Sequence, residues 1–183
     1  METLENQNDK RIYVIKAINI ILVVVILLLA LVLISMTFLW TPMTVSGVSM
    51  LNTLQDGEHV ILLTAWYSIH YEDIIVFEKS DDRNIIKRVI GLGGDKIRFS
   101  ESEGAYYRNG EKLIEDYVNG EYLESYFDQA QITIRAALLS DEGYEVPEAS
   151  VFVLGDNRMR SNDSHIYGAI SENQIIGKYI LGY

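Results

Sequence analysis

The feature that most constrains this chain is AINIILVVVILLLALVLISMTFLW at residues 17–40, a run of 24 positions without a charge. Ile20 to Ile34 is unbroken apolar sequence. A helix rises about 1.5 Å per residue, so about 20 residues cross a hydrocarbon core of roughly 30 Å. A core helix of a soluble protein would show a polar face, and this run has none. A cleaved signal peptide would carry an apolar stretch of about 7–15 residues closed by an A-x-A-like site. The run is longer than that, and SMTFLWTPM offers no such site. The sequence therefore predicts a transmembrane helix over 17–40. Lys10, Arg11 and Lys16 precede it, and no Lys or Arg follows until Lys79. The positive-inside rule then puts residues 1–16 in the cytoplasm and everything after Trp40 outside the cell membrane.

Residues 41–183 suffice for one extracytoplasmic domain of roughly 140 residues. A hydrophobic content of 49% supplies a core. The net charge of −11 speaks against nucleic acid as a partner, because phosphates would be repelled. With no cysteine there is no disulfide, no thiolate nucleophile and no cysteine-ligated metal. Beyond the apolar run, HVILLTAWYSI, DIIVFEK, NIIKRVIGL, KIRFS, AYYRNGEKL, VFVLGD and IIGKYILGY are short β-branched and aromatic stretches broken by Gly, Asn and Asp. They predict a mostly β, antiparallel domain. RNGEK at 108–112 is a hairpin signal, since Asn-Gly accepts the positive φ angles of a type I′ turn. Residues 101–148 hold twelve acidic residues against three basic ones, and are expected to form a smaller solvated cap or insertion.

Three places carry chemistry. Ser49, in VSGVSMLNTL at 45–54, is a nucleophile only if a neighbouring base takes its proton. His59, His70 and His165 are available for a triad, which geometry rather than order defines. Lys87 is the other candidate base. If NIIKRVIGL at 84–92 is a strand, Ile85, Lys87 and Val89 share one side, while Ile86, Arg88 and Ile90 share the other. Burial among such neighbours disfavours the ammonium form and makes a usable general base. The plain alternative is a lysine snorkelling at a sheet edge. The third place is GDNRMRSNDSHIYG at 155–168, whose polar groups suit either second-layer support of a site or the satisfaction of a long loop's backbone. No calcium-loop pattern is present, and neither metal nor cofactor is expected.

In order, these segments resemble the type I signal peptidases, closest to the single-span Gram-positive type, over nearly the whole chain. GVSMLNTL at 47–54 is similar to the family's G-x-S-M-x-P-T-L, and DGEHV at 56–60 to D-G-D-x-V. KRVIGLGGD at 87–95 looks like K-R-V-I-G-L-P-G-D, and GDNRMRSNDSHIYG like G-D-N-R-x-x-S-x-D-S-R-x-x-G. The resemblance implies a membrane serine protease with Ser49 as nucleophile and Lys87 as general base. It implies that Ser161 hydrogen-bonds the lysine amine, that Asp156, Arg88 and Asp163 shape the site, and that the Ser49 backbone N–H meets the oxyanion. The substrates it implies are exported preproteins, cut after small residues beside the lipid surface. Met50, Leu54, Ile85 and Ile86 are the candidates for the pocket walls.

The chain departs from the family pattern at four positions. Gly47 stands where some relatives add a serine donor, leaving Ser46 as the nearest hydroxyl. Asn52 and Gly93 replace prolines, which is expected to loosen the backbone at both. His165 replaces an arginine, which is expected to weaken the partner of a carboxylate, Asp163. The competing reading is a signal-peptidase-like assembly factor that binds surface proteins such as pilins without cutting them. Such relatives often lose the Ser or the Lys, and both are present here.

Overall fold

The computed structural model of the protein describes residues 2–79, 83–118, 122 and 124–183. The chain forms two units, 1–40 and 41–183. The first is helix α1 (Glu2–Leu39). Its stretch Arg11–Met36 has a mean hydropathy of 3.5 and is buried against nothing. Ile, Leu and Val are exposed from Ile12 to Ile34, a surface suited to an apolar solvent. The helix begins well before residue 17 and takes in the basic residues expected to form a separate cytoplasmic segment.

The second unit is built of short strands. In chain order these are β1 (Trp40–Thr44), β2 (His59–Leu63), β3 (Ile74–Lys79), β4 (Arg83–Leu92), β5 (Lys96–Ser100), β6 (Ala105–Arg108), β7 (Glu111–Lys112), β8 (Tyr144–Glu145), β9 (Ser150–Leu154), β10 (Ile170–Ser171) and β11 (Ile175–Gly182). Helices α2 (Ile132–Leu139) and α3 (Ser164–Tyr167) complete it. Seven strands form one sheet in the order β1-β2-β11-β3-β4-β9-β10, and four form a second, β7-β6-β5-β8. The registers described are all antiparallel.

The register of β3 on β4 sets Ile74 opposite Arg88, Ile75 opposite Lys87, Val76 opposite Ile86 and Phe77 opposite Ile85. Alternation then sorts the two faces. Ile86 joins Val76, Met50, Leu54, Val60 and Leu62 in one core. Ile85 and Val89 join Ile75, Phe77, Val151 and Val153 in another. Ile90 breaks the expected pattern, because the pairing of β4 with β9 shifts between Val89 and Gly91. That bulge sends Ile90 into a third core with Ile97, Phe99, Tyr106 and Phe127.

The smaller sheet begins at Lys96 and runs into the segment expected to form the cap. Beneath it the rings of Phe99, Tyr106, Tyr122, Tyr126 and Phe127 pack tilted or edge to face within about 4.7–6.4 Å centroid to centroid. The Asn-Gly hairpin forms as its residues require, with φ of +53° at Asn109 and +85° at Gly110 joining β6 to β7.

Candidate active site

Ser49 lies in the loop between β1 and β2. The loop is folded by its own backbone: Leu51 N–H donates to Val48 O at 3.1 Å, and Leu54 N–H to Met50 O at 2.9 Å. Met50 and Leu54, both almost wholly buried, fasten it to the core under β2 and β3. Gly47, at φ +94°, makes the entry turn and donates its N–H to Asp56 Oδ1 at 2.7 Å. From the other side the 155–158 loop clasps it. Asn157 N–H donates to Ser49 O at 2.9 Å, and Asn157 Nδ2 to Val48 O at 3.0 Å.

Strand β4 brings Lys87 to this loop. Its Nζ donates to Ser49 Oγ at 2.6 Å and to Ile86 O at 2.9 Å. The residue is only 3% exposed. Burial lowers its pKa from the model-compound 10.5 to about 8, with Lys79 acting in the same direction and Asp163 and Asp156 against. This is a desolvated amine in hydrogen-bond contact with a hydroxyl, the arrangement that makes a lysine a base and a serine a nucleophile.

Arg88, next in the strand, points to the opposite face. Its Nε donates to Asp156 Oδ1 at 2.9 Å and its Nη2 to Asp156 Oδ2 at 2.7 Å, a bidentate pair on a fully buried carboxylate. Burial works against the Arg88 charge, but Asp156 outweighs it and holds the guanidinium pKa above its usual value. Thr53 also donates to Asp156, and the Tyr117 ring covers Arg88 at 4.0 Å. Neither Thr53 nor Tyr117 is singled out by the sequence. Thr53 lies inside a motif without obvious chemistry, and Tyr117 comes from the small sheet's far loop.

Asp163 accepts the Gly155 N–H at 2.9 Å and faces His165 Nδ1 at 2.6 Å, with both side chains buried. Burial raises the Asp163 pKa, yet His165 and the Gly155 N–H offset that, and it lies below the usual carboxylate value. His165 thus makes a close contact with Asp163 where the family pattern has an arginine. The other histidines serve elsewhere: His59 meets Thr44 Oγ1 at 3.0 Å, and His70 faces Asp73. Ser49 Oγ meets the lysine and not an imidazole.

Three further expectations, on Ser161, Asn52 and Gly93, meet a different geometry. Ser161 Oγ is buried but has no hydrogen-bond partner among the described residues, so the expected bond to the Lys87 amine is not made. Met50, Leu54 and Ile86 pack together in one core, and Ile85 packs in the core on the other face of β4. Asn52 sits at φ +100°, which no proline can adopt, so the residue marks a different turn rather than a loosened one. At Gly93 a Cβ would come within 3.1 Å of Glu148 Cα and 3.2 Å of Pro147 O, so glycine here permits close backbone approach.

Residues 17–183 match the family model described as signal peptidase, peptidase S26. The chain belongs to that family. It is 34% identical over 151 residues to signal peptidase IB of Staphylococcus aureus strain COL, covering 77% of this chain and 76% of that protein. It is 37% identical over 150 residues to signal peptidase I of Bacillus caldolyticus, covering 80% of each. A crystal structure of a signal peptidase I from Enterococcus faecalis V583 superposes with a TM-score of 0.48 at 30% identity, over 62% of this chain and 98% of that one. A superposition that loose adds nothing to the family match. Membership of this serine peptidase family is what the conjunction of Ser49 and Lys87 has to be read against.

Proposed function

We propose that this protein is a membrane-anchored endopeptidase that cuts signal peptides from exported preproteins, with Ser49 as nucleophile and Lys87 as its base. The observation that carries the reading is the 2.6 Å contact between Lys87 Nζ and Ser49 Oγ, made by an amine whose pKa burial lowers to about 8. With that value roughly a tenth of the amine is neutral at pH 7, enough to work as a base.

Neutral Lys87 takes the Ser49 proton as Oγ attacks the scissile carbonyl carbon. The negative charge that develops on the carbonyl oxygen is met by the Ser49 backbone N–H. Lys87 returns its proton to the departing amine, which leaves as the mature protein's N-terminus. The signal peptide remains as an ester on Ser49. Lys87 then takes a proton from water, the hydroxide equivalent attacks the ester, and Ser49 Oγ recovers its proton. Arg88, Asp156 and Thr53 hold β4 and the nucleophile loop in register, and Asp163 and Ser161 line the site behind them.

Residues 11–36 are the anchor, with Arg11 and its basic neighbours on the cytoplasmic side and 41–183 outside. An anchored enzyme meets a substrate that is itself held by its apolar segment in the same bilayer, which raises their effective concentration. Nothing favours the non-cleaving assembly role.

The test is cleavage of a detergent-solubilised preprotein. Wild type should make one cut after a small residue, with an acid limb of kcat/KM centred near pH 8. Ser49→Ala and Lys87→Ala should each lower kcat by at least about a thousandfold. Full activity in either variant would remove the reading.

A further inference from the structure

Two carboxylates work against the loss of a proton from Lys87, Asp163 and Asp156. Their charges are balanced differently. Asp156 is gripped by the Arg88 guanidinium, which is charged at any working pH. Asp163 is equally buried, but the ionisable side chain it meets is the imidazole of His165, at 2.6 Å. Its second oxygen takes the Gly155 N–H. Gly155 in turn abuts the nucleophile: a Cβ there would lie 2.5 Å from Ser49 O and 2.2 Å from Ser161 Oγ. One peptide unit therefore separates the Asp163–His165 pair from the Ser49 backbone.

We propose that His165 is a positioning residue for the hydrolysis, acting through the Asp163 carboxylate on the protonation of Lys87. The inference rests on the proposed role of Lys87 as base. An imidazolium at 165 cancels the Asp163 charge, so the amine gives up its proton more readily. A neutral imidazole leaves that charge standing, and the amine holds its proton. The remaining groups that face this cluster do not duplicate the effect. Tyr126 stacks on His165 at 4.2 Å, and burial keeps its phenol neutral by raising its pKa, as it does for Tyr106 and Tyr167. Phe127 meets the ring edge-on. Arg158 is charged and held by Glu115, and Asp128 stands at the exposed rim of the same small cavity of about 220 Å³. Lys79, a strand away, favours the neutral amine whatever the state of His165. Imidazole is the group whose charge ordinarily changes between pH 5 and 8.

The test compares kcat/KM against pH for wild type, His165→Arg and His165→Gln on a preprotein. The Arg limb should lie on the order of one pH unit below the Gln limb, which at pH 7 is roughly a tenfold difference in kcat/KM. In an Asp163→Asn background the difference between Arg and Gln should vanish. The second measurement needs no turnover. In Ser49→Ala protein carrying ¹³C-labelled lysine, the Lys87 resonance should titrate at higher pH with Gln at 165 than with Arg. Coincident Arg and Gln limbs overturn the proposal, as does a Lys87 titration indifferent to residue 165 or a difference that survives Asp163→Asn. If wild type cuts nothing, the peptidase reading fails, and the resonance still decides for or against His165.

Discussion

Lys87 is stabilised by nothing that an apolar residue would not supply better. Its pKa lies near 8 in the folded protein against 10.5 for the free side chain, and burial is the main cause. Between those two values the unfolded chain binds more protons than the folded one, so stability rises with pH across that window. Below about pH 8 the cost of keeping the charged amine buried is fully present, about 3 kcal/mol by linkage. An apolar replacement escapes that cost but forgoes the hydrogen bonds to Ser49 Oγ and Ile86 O, at about 1 kcal/mol each. Lys87→Met keeps the volume and removes the charge. It should leave the protein inactive yet more stable, by about 1 kcal/mol at pH 7, and the gain should shrink toward pH 10. Denaturant unfolding at the two pH values checks this. A loss of stability at pH 7 would mean that the amine is better solvated than its burial implies.

The nucleophile loop and β4 show which part of the site could be read in advance. Ser49, Lys87, Arg88, Asp156 and Asp163 are all recognisable by pattern, because a charged residue inside a β-branched strand or a dense polar loop stands out against its neighbours. Five strands of the larger sheet, β2, β3, β4, β9 and β11, were equally legible from their short apolar runs, whereas β1 and β10 were not. The bulge at Val89–Gly91, which redirects Ile90, leaves no composition signal. Asn52 is the most instructive position. Read against the family pattern it looks like a lost proline, and restoring the proline looks like an improvement. At φ +100° proline is excluded, and the Asn52 side chain also reaches Tyr117 O at 3.4 Å. Asn52→Pro should therefore cost at least about 1 kcal/mol and lower kcat on the order of a hundredfold, because Ser49 three residues earlier is displaced. Asn52→Gly, which accepts the same φ, should stay within about 0.5 kcal/mol of wild type. Thermal unfolding and the cleavage rate of the two variants separate backbone geometry from side-chain loss.

The division into an apolar helix and a β unit separates two contributions to rate that a single assay would merge. Residues 41–183 hold Ser49, Lys87 and each side chain that orients them, along with all three hydrophobic cores. The helix buries none of its apolar face against protein, so deleting it removes no packing from that face. A chain starting at Thr41 should accordingly fold with the stability of the full-length protein and cut a short soluble peptide at the same kcat/KM. On a preprotein reconstituted in vesicles it should fall behind by a factor of about 10²–10⁴, the usual advantage of tethering both partners to one surface. The comparison is informative because the two substrates move independently. Equal losses on peptide and preprotein would mean that the helix supports the catalytic unit itself. Equal rates on both would mean that the anchor serves location alone and adds nothing to encounter.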